Sequence, residues 1–194
     1  MALLPSGGND VVLTPDWLSC LIVTHFRPSG KLLDPFAGEG SFAQWMPGCD
    51  WCELRRGKDF FSDRHVSPRY DWCISNPPYS ILADVMWRSY NVADNIVYLI
   101  LSNSVFGQKA KMRTMREYGY GIVEMLEVPN PPPPFPSFGL QLCAVWFRRN
   151  WPSSNMLVRT ATDQQVKDAH QKCKTTMRKR QRELATLFPQ KSRR

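Results

Sequence analysis

Lys31-Leu32-Leu33-Asp34-Pro35-Phe36-Ala37-Gly38-Glu39-Gly40-Ser41-Phe42 is the stretch that decides the fold. Its first four residues read as a short buried strand, followed by a tight turn with two glycines that is expected to lead into a helix. Glycines directly after a strand let the backbone approach a ligand closely. In an open, doubly wound sheet that place is the crevice at the carboxyl ends of the strands. Asp50-Trp51-Cys52-Glu53 reads as a second strand ending on an acid, about 20 residues downstream, where a carboxylate is expected to grip a ribose diol. The candidate cofactor cradle is therefore Asp34, Pro35, Phe36, Ala37, Gly38 and Gly40 together with Glu53. An ordinary glycine turn is the plain alternative. Ala43 fits the third position of the dinucleotide fingerprint, so this run alone is also compatible with a nicotinamide cofactor.

On the N-terminal side, Met1 to Asp10 is polar and Gly-rich and reads as a loose arm. Thr14-Pro15-Asp16-Trp17 is expected to open a helix, with Thr14 as N-cap and Pro15 at the first helical position. On the C-terminal side, Tyr70 to Ser75 reads as a strand, residues 81–90 as a helix, and Ile96 to Leu101 as a continuous apolar central strand. Gly121 to Val128 and Leu140 to Arg148 are two later strand-like runs. They flank residues 129–138, which are too Pro-rich for regular structure. Strands alternating with helices, then a late antiparallel pair, predict an α/β fold with helices on both faces of a mostly parallel sheet.

The second informative run is Ser75-Asn76-Pro77-Pro78-Tyr79-Ser80. An amine conjugated to an aromatic ring is a poor nucleophile because its lone pair is delocalised. Acceptors for its two N–H bonds would push the nitrogen toward sp³ character and free that pair. The side-chain carbonyl of Asn76 supplies one acceptor. The backbone carbonyl of Pro77 supplies a second, on a loop that Pro77 and Pro78 restrict, and Tyr79 can stack on the base. With a sulfonium methyl as electrophile, positioning does most of the work and neither a metal nor a strong base is needed. The plain alternative is a Pro-rich turn after a strand.

Asp34 to Phe42 resembles the cofactor motif of S-adenosylmethionine-dependent DNA amino-methyltransferases. Asn76 to Tyr79 resembles the Asn-Pro-Pro-Tyr loop of enzymes that methylate adenine N6, cytosine N4 or, in some relatives, a glutamine amide. The resemblance covers roughly Thr14 to Arg149 and implies a Rossmann-like methyltransferase fold with a seven-stranded sheet and S-adenosyl-L-methionine as cofactor. It implies that Thr14 and Pro15 help hold the methionine part of the cofactor. It also implies that Asp59 accepts from the cofactor's adenine amino group and that Phe60 packs on the adenine ring. Phe135 and Phe138, in the Pro-rich loop, correspond to the aromatic position that holds the other face of a flipped base; capping the core is their alternative role. Asn at the first position of the catalytic loop leans to adenine. The chief departure from the family is that no inserted target-recognition domain of the usual size is seen, which puts sequence specificity in doubt; a small orphan or viral type is expected.

Charge divides the chain. Residues 1–150 hold 14 Lys+Arg and 14 Asp+Glu, whereas residues 151–194 hold 11 and 3, so the whole net charge of +8 lies in the last segment. The expectation is a methyltransferase domain over 1–150 and a basic helical tail over 151–194. Within the tail, residues 162–188 read as a helix. Arg178, Lys179, Arg180 and Arg182 would neutralise phosphates, and an apolar seam from Val166 to Leu187 would serve a second copy or a protein partner. The six cysteines are scattered. Cys49 and Cys52 have C-x-x-C spacing but lack the second ligand pair of a zinc site, so no metal is expected. The sequence shows neither a membrane span nor a secretory start, so an intracellular protein is expected.

The leading expectation is methylation of adenine N6 in DNA. Methylation of RNA adenine or cytosine N4, or of a protein glutamine, is the enzymatic alternative. A non-catalytic nucleic-acid-binding subunit that keeps the fold is the alternative of another class.

Overall fold

A computed structural model describes residues 12–62, 69–106, 109–133, 135, 139–152 and 155–187. Its strands are β1 (Leu32–Asp34), β2 (Asp50–Trp51), β3 (Tyr70–Ser75), β4 (Ala93–Leu101), β5 (Tyr120–Glu127), β6 (Leu142–Arg149) and β7 (Leu157–Thr160). The helices are α1 (Asp16–Phe26), α2 (Leu82–Val92), α3 (Asn103–Phe106), α4 (Lys109–Glu117) and α5 (Asp163–Leu187). The strands form one seven-stranded sheet in the order β2-β1-β3-β4-β6-β5-β7. Every neighbouring pair is parallel except β4–β6 and β5–β6. Only β6 therefore runs against the rest.

The apolar run in β4 is buried because it feeds two cores at once. Side chains alternate across a strand, so Ile96, Tyr98 and Ile100 enter the core under α2 and α4, while Val97 and Leu99 enter the one under α1 and α5. On the second face Leu18, Leu21 and Ile22 of α1 are covered almost completely. Helices on both faces of a mostly parallel sheet are as the sequence predicts.

Three local expectations fail, each for a physical reason. The glycine turn leads only into a short 3-10 turn, Ala43–Trp45, because Pro47-Gly48 halts the chain before a full helix can form. Thr14 is not the cap of α1: Pro15 occupies that position and no side chain caps the helix. The reason lies in the site described below. Beyond residue 150 the chain contributes a strand as well as a helix, since β7 pairs with β5. Inward-facing positions 166, 169, 173 and 176 of α5, at helical spacing, are those least exposed along its central turns. Val166 and Ala169 belong to the same core as α1, and Trp17 stacks on His170 with ring centroids 4.6 Å apart. The first part of the apolar seam is thus covered within the chain, whereas Met177 is exposed.

Candidate active site

The parallel strands β1 and β3 end side by side, and each hands its last side chain to the other. The Ser75 hydroxyl donates to Asp34 Oδ1 at 2.7 Å, with both residues fully buried. Burial pushes the Asp34 carboxyl up to about 7, with the Ser75 hydrogen bond offsetting part of the effect. Asp34 Oδ2 is buried without a hydrogen-bond partner among the described residues.

Beyond Asp34 the turn is tied to the β2 end of the sheet. Ala37 N–H donates to the Cys52 carbonyl and Cys52 N–H to that of Asp34, each at 2.9 Å. Gly38 and Gly40 have φ of 51° and 90°, the left-handed region that favours glycine. A Cβ at Gly40 would meet no atom of the described residues within 4 Å, so these residues leave the space over the loop open. Glu53 reaches the same loop: its Oε2 accepts from Gly38 N–H at 2.9 Å and its Oε1 from Arg55 N–H at 3.1 Å. Phe60 is buried edge-on against Phe36, with centroids 5.4 Å apart. Asp59 Oδ1 accepts from the Phe61 amide at 2.9 Å. The structure thus gathers the sequence-predicted cofactor residues Asp34, Pro35, Phe36, Ala37, Gly38, Gly40, Glu53, Asp59 and Phe60 at the carboxyl edge of β1 and β2.

Asn76 follows directly after Ser75. Its Nδ2 donates to Thr14 Oγ1 at 3.1 Å and to the Val12 carbonyl at 3.4 Å. Its Oδ1 is buried and has no partner among the described residues. An amide carbonyl has two acceptor sites, so a buried one left empty is costly unless a donor arrives. Pro77 is buried and Pro78 half-buried. The Tyr79 hydroxyl donates to the Leu99 carbonyl at 3.3 Å, which anchors its half-buried ring at the end of β4.

Thr14 belongs to both loops. Its carbonyl accepts from Ser41 Oγ of the glycine turn at 2.7 Å, while its hydroxyl accepts from Asn76. Ser19 Oγ donates to the Ser41 carbonyl at 2.8 Å, and Gln44 Nε2 to Asp16 Oδ1 at 2.6 Å. Sequence reasoning missed Ser75, Ser41, Ser19 and Gln44. The only local signal was Ser75, a hydroxyl ending a buried strand next to Asn-Pro-Pro-Tyr.

The remaining candidates lie apart. Phe135, in the loop leaving β5 at the same sheet edge, is 8% exposed and packs into the core of α1 and α5, the core-capping placement. Phe138 lies outside the described residues. Arg178, Lys179, Arg180 and Arg182 are exposed on α5. Arg180 donates to Gln44 Oε1 at 2.9 Å, which brings this basic stretch against the flank of the glycine turn. Cys49 and Cys52 form no disulfide among the described residues, and burial pushes each thiol up to about 11. Among the described residues no helix is long and apolar enough to cross a membrane.

No protein-family model and no curated protein matches the sequence. Solved structures match the fold. The EcoKI M protein, a type I restriction enzyme component, aligns over 74% of this chain and 44% of its own, at 14% identity and a TM-score of 0.55. A modification subunit of a type I restriction enzyme assigned in Vibrio vulnificus aligns over 81% and 49%, at 13% identity and a TM-score of 0.54. A class I S-adenosylmethionine-dependent methyltransferase assigned in Listeria monocytogenes aligns over 77% and 66%, at 11% identity and a TM-score of 0.54. The chain spans about half or less of the first two proteins. The fold is the Rossmann-like fold of S-adenosylmethionine-dependent methyltransferases.

Proposed function

We propose that the protein is an S-adenosylmethionine-dependent methyltransferase acting on the exocyclic amino nitrogen of a nucleic-acid base, adenine N6 in DNA. The observation that carries this reading is the Asn76 side chain. Both its amide protons are engaged, and its carbonyl oxygen is buried and without a partner among the described residues, one residue past a strand end that the glycine turn also adjoins.

The donor set fits the cofactor. Among the described residues Asp34 has a buried oxygen without a partner and Gly40 has open space above its backbone, while Glu53 presents a carboxylate at Gly38. Glu53 would take the ribose hydroxyls, Gly38 and Gly40 would let the backbone approach, and Asp59 and Phe60 would hold the adenine. Asp34 to Ala37, Thr14 and Pro15 would face the methionine end. S-Adenosylmethionine supplies, when bound, a methyl group on a sulfonium centre.

The chain's own residues prepare the nucleophile. Asn76 Oδ1 accepts one N–H of the amine and the Pro77 carbonyl the other, which localises the nitrogen lone pair. Tyr79, tethered at Leu99, offers a ring face to a base taken out of its stack. Arg178, Lys179, Arg180 and Arg182 hold phosphates nearby. Their charge favours a polyanion over a protein glutamine. Two similar folds are named as restriction-modification components, which favours DNA over RNA.

The test supplies labelled cofactor with DNA and RNA pools, digests to nucleosides and identifies the product by mass spectrometry. N6-methyladenine from DNA is expected. A methylated cytosine, or label only in RNA, overturns the choice of base or polymer. Cofactor binding without transfer to any acceptor favours the non-catalytic subunit instead.

A further inference from the structure

We infer that Thr14 is a positioning residue for the catalytic loop: the Val12 carbonyl admits only the NH₂ end of the Asn76 amide, and the Thr14 hydroxyl, accepting the second proton, holds that end in place so that Oδ1 faces the acceptor. The inference rests on the function proposed above, and it assigns Thr14 a role beyond contact with the cofactor.

A primary amide has two ends of nearly equal size and opposite hydrogen-bonding sense. Rotation by half a turn about its last side-chain bond would place Nδ2 where Oδ1 now lies. An amine donates N–H bonds, so only the carbonyl end serves it, and the flipped amide would face it donor to donor. Something must therefore fix the choice. The Val12 carbonyl cannot donate, so it tolerates only the NH₂ end of Asn76 at 3.4 Å. At 3.4 Å that contact is long for an N–H···O bond. The Thr14 hydroxyl accepts the other proton at 3.1 Å. Together they use both Nδ2 protons and leave both acceptor sites of Oδ1 for the incoming amine.

Thr14 is well suited to hold this position. It is 8% exposed and its carbonyl is gripped by Ser41 of the glycine turn at 2.7 Å. One residue thus sets the register between the turn assigned to the methyl donor and the side chain assigned to the methyl acceptor. This also explains why Thr14 does not cap α1. A hydroxyl turned toward Asn76, 62 residues away in sequence, is not aimed at the first amides of its own helix.

Thr14→Val keeps shape and β-branching but removes the acceptor, and Thr14→Ser restores the hydroxyl. Two readouts are needed. The first is the Asn76 side-chain NH₂ signal in ¹⁵N-asparagine-labelled protein, assigned by its loss in Asn76→Ser, with its solvent exchange. In wild type and Thr14→Ser it should be slow to exchange, and in Thr14→Val it should exchange faster. This readout does not depend on any methyl transfer. The second is turnover. Thr14→Val should lower kcat at saturating cofactor by about tenfold, the order of one hydrogen bond, beyond any change in cofactor affinity by calorimetry, and Thr14→Ser should recover most of that loss. In an Asn76→Ala background Thr14→Val should have no further effect. Unchanged exchange in Thr14→Val overturns the inference. So does a loss of cofactor affinity that accounts for the whole loss of rate, which would make Thr14 a cofactor ligand. If the exchange result holds but wild type methylates no base, the proposed function fails and the placement of the amide stands.

Discussion

At the carboxyl edge of β1, β2 and β3, the polar side chains are buried or half-buried and each has a specific hydrogen-bonding assignment. Asp34 is held by Ser75, Glu53 by Gly38 and Arg55, and Asn76 by Thr14 and Val12. On α5 the polar atoms lie in solvent: Arg178, Lys179 and Arg182 are exposed, and the Lys179–Glu183 pair spans 3.9 Å within one helix. A buried polar group acts through its position, and losing its partner is costly. An exposed charge acts through the summed field and is replaceable by its neighbour. The first region suits the selection of a single atom, as the proposed reaction requires. The second suits the added affinity for a polyanion that the proposed substrate requires, without choice of sequence.

Substitutions that exchange the two behaviours would break this contrast. The largest effect is expected at Gly40. Gly40→Val forces a β-branched residue into the left-handed region and fills the open space above the turn. Calorimetry should find cofactor binding lost while circular dichroism shows the fold retained. Retained affinity would remove the glycine turn from the cofactor site.

Asp34 comes next. Its folded-state carboxyl is raised to about 7 from an ordinary value near 3.8. A raised carboxyl binds more protons folded than unfolded, so its contribution is fully present below about pH 4 and is lost as pH rises toward 7. Relative to Asp34→Asn, the wild-type protein should lose stability over that interval by on the order of a few kcal/mol. Parallel pH profiles in urea melts of the two proteins would contradict this burial effect.

The basic stretch should give a smaller and graded response. Alanine at Arg178, Lys179 and Arg182 together should weaken nucleic-acid binding and flatten its salt dependence by roughly 0.9 in the log–log slope for each phosphate no longer neutralised. Cofactor affinity should not change. Surface substitutions are the suitable probe here, because β7 pairs with β5 and α5 covers α1, so removing the segment would open the core. An unchanged salt slope would separate α5 from nucleic acid. At the small end, Met177→Ala should shift stability by no more than about 0.5 kcal/mol, as at other exposed positions. A change in sedimentation for that variant would show that the exposed end of the seam holds a second copy.

Features set by short-range pattern were legible in the sequence. The apolar run of β4 and the glycine turn placed the sheet and the turn at its carboxyl edge, because alternation and glycine dihedrals are local properties. Thr14 was read as a helix cap because Thr-Pro-Asp satisfies a local rule. A partner 62 residues away competes for the same hydroxyl, and no periodicity records it. The expected helix after the glycine turn was overruled by Pro47-Gly48, a stop already written in the chain. Among α5 residues, the basic cluster was visible, but the hydrogen bond from Arg180 to Gln44 is tertiary and left no mark in the sequence.

Single-turnover transfer by Asn76→Ala, measured at saturating cofactor beside calorimetric cofactor affinity, tests the catalytic assignment most directly. Loss of one preorganised hydrogen-bonding group should slow transfer by about 100- to 1,000-fold, with cofactor affinity unchanged. Transfer at the wild-type rate would contradict the role given to the buried carbonyl of Asn76.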